Sequence, residues 1–200
     1  MLDDQRAVYN DRIRVLLTEL DAHSPGEAAH AERVAVYSVA VGEAMGLSDD
    51  DLVHLGWAAK LHDVGKIRVD ANLIAKLGSL SEEEFEALRA HALHAQEVLS
   101  GMLWLAPAEG MIRHHHEWWN GEGYPEGLAR KEIPLGARII GAAEAFDVLI
   151  SDVPWRDRLT ATLALEEMRR CRGSQFDPTV VDTLADVHDL IQPVRGEPLG

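Results

Sequence analysis

The stretch LHDVGK, residues 61–66, sets an imidazole and a carboxylate side by side, one turn before a lysine. Leading up to it, Leu52, Leu55, Gly56 and Ala59 recur at i, i+3, i+4 and i+7, the spacing of a helix with one buried stripe. Continued, that stripe takes in His62, three residues after Ala59, and Asp63, four after it. A carboxylate thus stands where the pattern asks for leucine. A helix that turns an acid and an imidazole toward its own core needs a chemical reason.

Helical periodicity runs through the rest of the chain, and no stretch alternates convincingly as a strand. The spacing predicts helices over 3–20 and 27–45, the second closed by Gly46. Ser48, with Asp51 three residues on, caps a third that is expected to run to Val64. A loop, GKIRVDANL, follows. Ser81 with Glu84 opens a helix over 82–100, and 106–118 reads as another. After the turn-rich NGEGYPEGLARKEIP come helices over 135–151 and 160–171, the latter ended by Gly173. Asp177 as N-cap and Pro178 at the first helical position start the last helix, to about Ile191. No internal repeat, linker or low-complexity tract interrupts this series. The expectation is an all-α, single-domain bundle: an N-terminal helix over 1–22, a body over 23–192 and a frayed tail over 193–200.

The totals narrow the function. Thirty-four acids against nineteen Lys and Arg give a net charge of -15, which argues against a nucleic-acid polymer as partner. The opening MLDDQRAVYN has neither the basic region nor the apolar core of a signal peptide. No apolar run approaches the roughly 20 residues that span a bilayer, so no membrane role is expected. Cys171 is the single cysteine, so no internal disulfide can form, and a reducing cytoplasm is the expected setting.

The stripe test finds more buried polar groups. His30 is followed on its face by Val34, Tyr37 and Val41; Leu88, Ala92, Ala95 and Leu99 mark a buried side with His91 at its margin. Ile140, Ala143, Glu144 and Asp147 share one face of the helix over 135–151. One histidine on an apolar face is more often a hydrogen-bonded core residue than a ligand, and one His-Asp pair could be an inert salt bridge. HHHE, residues 114–117, could equally be a solvated run, since neighbours on a helix diverge by about 100°. The joint occurrence is what decides. Four helices directing imidazole or carboxylate inward become tolerable around a cation, where each lone group unpartnered would cost several kcal/mol. Nitrogen and oxygen donors without thiolate suit Mn, Fe, Zn or Mg, and adjacent pairs such as His62-Asp63 or His115-His116 can serve two neighbouring ions with Asp63 as bridge.

The order His30, His62-Asp63 and then an acid on a late helix resembles the HD superfamily of metal-dependent phosphohydrolases. HHEWWNGEGYPEGL, residues 115–128, with the following IPLGARIIGAAEAFDVL, is similar to the signature of its HD-GYP branch. The resemblance extends from about His30 to Val181. It implies a helical bundle with a metal site between helices, and hydrolysis of cyclic di-GMP to the linear dinucleotide and onward to GMP. Matched by position, it implies His30, His62, Asp63, His91, His115, His116 and Glu144 as metal ligands, the tract 114–116 contributing its last two histidines. Asp63 and Lys66 would take part in the chemistry, with Lys66, Arg138 and Arg156 as candidates for holding phosphate. Gly123, Tyr124 and Pro125, the GYP triplet, read either as an ordered turn or as a loop bordering the site and open to a protein partner.

Four positions depart from the family pattern. Glu144 replaces an aspartate ligand, and its extra methylene displaces the carboxylate by about an ångström, a shift large enough to cost rate; Asp147, one turn on, could assist it. Asn120 replaces an aspartate, Val153 an arginine, and Gly26 stands where three-metal members carry a glutamate. The last favours two divalent transition-metal ions over three, Fe or Mn ahead of Zn, Mg or Ni. Two alternatives to a cyclic di-GMP phosphodiesterase stay open: a degenerate signalling module that binds metal and cyclic dinucleotide, or a partner, without efficient turnover, and a phosphohydrolase for another nucleotide. Homodimerisation is compatible with each. No receiver or sensor domain is recognised, so regulation is expected through residues 1–22, a partner or ligand supply.

Overall fold

The computed structural model describes residues 2–152 and 157–190. The expected tail 193–200, Val153 and Arg156 lie outside the described residues. Ten α-helices are present among those described: α1 (Leu2–His23), α2 (Glu27–Ala44), α3 (Asp49–Leu61), α4 (Ala71–Ile74), α5 (Glu82–Arg89), α6 (His91–Val98), α7 (Ala106–Arg113), α8 (Leu135–Ile150), α9 (Ala161–Arg170) and α10 (Pro178–Val187). The one β feature among them is an isolated bridge between Arg172 and Phe176. The chain is all-α, as its periodicity implies.

The cap signals work as chemistry. Ser48 Oγ accepts the Asp51 N–H, Ser81 and Glu84 form a reciprocal capping box, and the Asp177 carboxylate accepts the Thr179 N–H at 2.8 Å. The helix ends are where local pattern and structure part, and those ends carry the polar residues. α3 stops at Leu61 instead of Val64: His62 is its C-cap, Asp63 leaves helical geometry (φ -99°, ψ 5°), and a 3₁₀ turn covers Val64–Arg68. The stretch read as one helix over 82–100 is two, α5 and α6, meeting at Ala90, so His91 opens a new helix. α7 ends at Arg113, five residues before the expected 118. The chain there is drawn onto the α9–α10 connection, where the Trp119 and Asn120 N–H groups donate to the Gln175 and Ser174 carbonyls at 2.9 and 2.8 Å. The last helix likewise gives way at Val187 to a 3₁₀ turn, His188–Leu190.

α2, α3 and α8 form the centre. Val34, Val41, Leu55, Ala58, Leu61, Ile140, Ala143 and Phe146 are buried there, and α10 covers them with Val180, Val181 and Leu184. α1 contributes Ile13, Leu16, Leu17 and Leu20 to the same core. It is pinned by Tyr9, stacked on Trp104 at 4.3 Å and set edge-on to Trp57 at 5.7 Å. No described helix is long and apolar enough to cross a membrane.

The turn after α3 lies against α6 through Gly65, where an added Cβ would fall 1.9 Å from the His91 carbonyl oxygen and 2.6 Å from the Ala95 nitrogen. Both obstacles are backbone, which cannot rotate away. Gly65→Ala should therefore destabilise the protein by about 3 kcal/mol or more, a cost of severe overpacking. Urea unfolding checks it, and an unchanged midpoint would mean that the turn and α6 are free to separate.

Candidate metal centre

The interrupted helix ends and two helix bodies converge on one point. α2 supplies His30, the end of α3 His62, the turn after it Asp63 and Lys66, the start of α6 His91, the turn after α7 His115 and His116, and α8 Glu144. Donor atoms of His30, His62, Asp63 and Glu144 lie within 4.8 Å of one another, and so do those of Asp63, His91, His115 and His116. Asp63 belongs to both groups. His114 belongs to neither; its ring lies beside Glu117 and Glu126.

The imidazoles are aimed by hydrogen bonds behind them. Nδ1 of His62, His91 and His115 lies 2.7, 2.7 and 2.6 Å from the carbonyls of Ala59, Leu88 and Ile112, each three residues earlier. A carbonyl only accepts, so each Nδ1 donates and each Nε2 is turned to the centre. His30 is held over a longer distance. Its Nδ1 meets Asp147 Oδ2 at 2.8 Å, and Arg33 grips both oxygens of Asp147 at 2.7 and 2.8 Å. Asp147 thus orients His30 and does not assist Glu144. This is the outer support that metal-ligating imidazoles use.

The arrangement leaves good donors unused. His62 Nε2, His115 Nε2 and Asp63 Oδ1 are buried without a hydrogen-bond partner. Asp63 approaches His62 and His91 to 3.2 Å, and the ring nitrogens His91 Nε2 and His116 Nε2 lie 3.2 Å apart, within hydrogen-bond reach. Unsatisfied buried groups each cost about 1–3 kcal/mol, and unpartnered donor atoms gathered around one point fit a shared cation. The donor set, five imidazoles and two carboxylates with no thiolate, fits divalent transition metals.

The electrostatics follow from burial and neighbours. Burial holds His115 well below the ordinary imidazole range and takes His116 down to about 4, so both are neutral bases at pH 7. Burial also opposes charge on His62, but the adjoining Asp63 carboxylate outweighs it and lifts the imidazole to about 9. Against its own burial, Asp63 is kept ionised by Lys66 and His62. Lys66 Nζ lies 2.7 Å from Asp63 Oδ2 and 2.9 Å from Glu27 Oε1, and burial notwithstanding these acids hold it protonated. Glu27 is absent from the sequence reading, although an acid in the first turn of α2, three residues before His30, could have flagged it.

The GYP triplet is both a turn and a border. Gly123 passes so close to the preceding turn that a Cβ would fall 2.2 Å from the Trp118 nitrogen. The Tyr124 N–H donates to the His116 carbonyl, its ring lies 4.8 Å from the His116 ring, and its peptide bond to Pro125 is cis. Arg89 sits over Tyr124 at 4.8 Å and over Phe85 at 4.2 Å, a cation–π stack at the rim that local pattern did not indicate. The strap holding this loop is Glu117. Its carboxylate is fully buried and accepts the Glu126 and Leu128 N–H groups at 2.8 and 3.1 Å. Arg138 stands farther out, its Nε donating to the Ile133 carbonyl and its Nη1 to Asp177. The Asn120 side chain closes a surface turn with Glu122.

A helical bundle that gathers imidazoles from three helix ends and one helix body around one His-Asp pair defines the HD class of proteins. The chain belongs to that family: the HD domain model matches residues 14–180. Among curated proteins it is 33% identical over 91% of its length to the cyclic di-GMP phosphodiesterase response regulator RpfG of Xanthomonas campestris, covering 49% of that protein. It is 36% identical over 86% of its length to the 3′3′-cGAMP-specific phosphodiesterase 3 of Vibrio cholerae, covering 37% of it. The chain thus spans half or less of the length of these relatives. In fold it is similar to an HDG"Y"P protein from Bdellovibrio bacteriovorus (TM-score 0.69, 20% identity, 92% of this chain and 62% of that one). It is similar also to the HD domain of the Listeria monocytogenes phosphodiesterase PgpH (TM-score 0.61, 16% identity, 88% of this chain and 98% of that one).

Glu117→Ala removes the acceptor of two backbone N–H groups while leaving every donor of the centre in place. It should cost about 3 kcal/mol, from two lost charge-assisted bonds in a buried setting. Denaturant unfolding gives the total, and hydrogen exchange should show faster exchange at Glu126 and Leu128. Undisturbed protection at both amides would show that the loop is held by other means.

Proposed function

We propose that this chain is a two-metal phosphodiesterase that opens cyclic di-GMP to the linear dinucleotide, with GMP as a later product. The observation that carries the reading is the pair of donor groups sharing Asp63. His30, His62, Asp63 and Glu144 would hold one ion, and Asp63, His91, His115 and His116 the other. When bound, two such ions activate water and neutralise charge on the phosphoryl oxygens. Iron or manganese suits these donors best, with zinc, magnesium and nickel as alternatives. The relatives named for cyclic di-GMP and cGAMP support a cyclic dinucleotide as substrate.

The chain's own residues supply orientation and charge. Asp147 and the three carbonyls fix four of the five rings. The Lys66 ammonium, held between Asp63 and Glu27, places positive charge beside the centre and is the residue assigned to the substrate phosphate. Tyr124 and Arg89 border the entrance. Arg156 is a further candidate for phosphate. The GYP loop, with Trp118 partly exposed, is the surface offered to a protein partner. The single cysteine, Cys171, accords with a reducing cytoplasm.

The protein purified without oxygen should carry close to two transition-metal ions by elemental analysis; less than half an ion per chain would refute the assignment. His62→Ala should lower the content sharply, and Asp63→Ala should disturb both ions. The raised His62 sets the pH dependence. Its proton must leave before its nitrogen can ligate, so affinity should climb by roughly tenfold per pH unit from 7 toward 9 and flatten above. Calorimetric titration in two buffers of different ionisation enthalpy would show the proton released.

A receptor without turnover is the second reading, and Glu144 favours it: a longer carboxylate, 3.9 Å from His116 Nδ1, in the place of an aspartate. We expect measurable but slow cleavage, raised about tenfold by Glu144→Asp, equivalent to about 1.4 kcal/mol of barrier. Single-turnover assays with manganese decide. Rapid wild-type cleavage with no gain in the variant would show that the methylene is neutral, and binding without cleavage in both proteins would establish the receptor.

A further inference from the structure

A cavity of about 440 Å³ opens beside the centre, between α8, α9, the turn after α7 and the connection before α10. His116 and Glu144 line it, so it is continuous with both donor groups. The rest of its wall is unlike a phosphate site. Trp118, Trp119 and Phe176 bring aromatic surface, and Leu149 and Met168 apolar surface. α8 turns Ala137, Gly141, Ala142 and Ala145 toward it, leaving the space open. On the polar side stand Arg138, locked by Asp177 and the Ile133 carbonyl with its guanidinium 5.7 Å from the Trp119 ring, and Gln175.

A phosphodiester gripped at the donors needs none of these groups. A flat ring attached to that phosphodiester by a sugar needs all of them: aromatic faces to stack on, apolar walls, and a few fixed polar groups for its edge. The volume lies within the roughly 300–1,000 Å³ of small-molecule sites. We infer that this cavity seats one purine base of the substrate, stacked at Trp118 and Trp119, with Arg138 facing the base edge. The inference rests on the phosphodiesterase reading and adds to it where selectivity for a nucleotide comes from. A guanidinium fork matches the paired O6 and N7 acceptors of guanine, which both cyclic di-GMP and cGAMP contain. Arg138 then reads the base and leaves the phosphate to Lys66.

Two variants test this. Ala145→Phe fills the cavity from a rigid helix, and Trp118→Ala, at a partly exposed position, removes a stacking face with little demand on folding. Two substrates are compared on the metal-loaded protein: cyclic di-GMP and methyl p-nitrophenyl phosphate, which carries no base or sugar. The ratio of their kcat/KM values should fall at least tenfold in each variant. Independently of turnover, calorimetry with guanosine, which has no phosphate, should show saturable binding to the wild type and at least tenfold weaker binding to both variants. The inference is overturned if guanosine binds all three proteins alike, or if both substrates slow in parallel. If the wild type cleaves neither substrate, the phosphodiesterase reading fails, and the guanosine titration alone still decides the cavity.

Discussion

The structure turns on one buried carboxylate. Asp63 is within reach of His62 and His91, accepts from Lys66, and belongs to both donor groups. It stays ionised in the core because cationic neighbours outweigh its desolvation. Everything around it answers that requirement. α3 ends early to release it, Gly65 brings α6 close enough to deliver His91, and Lys66 reaches back to neutralise it.

The same local device recurs at three helix ends. His62, His91 and His115 each lie near a helix terminus and each bond the carbonyl three residues earlier. A residue in a helix interior finds that carbonyl already engaged by the backbone ladder; at a terminus it is an orphan. Ending a helix at or just before each histidine therefore satisfies an unpaired carbonyl and aims a ring in one step. His30, in the body of α2, has no such carbonyl and borrows Asp147 from across the α2–α8 seam, where Arg33 of its own helix holds that carboxylate.

Much of this was legible in the chain. The stripe through Leu55 and Ala59 put His62 and Asp63 inside, the caps at Ser48, Ser81 and Asp177 mark helix starts, and the seven residues chosen as ligands converge. Helix ends were less legible, because periodicity persists past a terminus when the following residues are also buried, as Asp63 and Val64 are. Glu117 looked like part of a solvated run, since nothing local shows that a buried carboxylate will take up amides nine and eleven residues later. Asp147 could not be told from a ligand, because orientation behind His30 depends on a helix packed 114 residues from Arg33. Arg89 needed the third dimension outright.

Exposure around the centre is uneven. Side chains of His62, Asp63 and His91 are 0, 2 and 3% exposed, whereas His30, Glu144 and His116 are 15, 18 and 22% exposed. The centre has a sealed back and a windowed front. A molecule larger than water can meet it from the front alone, presenting a protruding corner while its bulk stays outside or turns aside along α8. Such a window sorts molecules by shape without any moving lid: a charged group on a bend can enter, and the same group embedded in a straight, stiff polymer is held off by its own flanks.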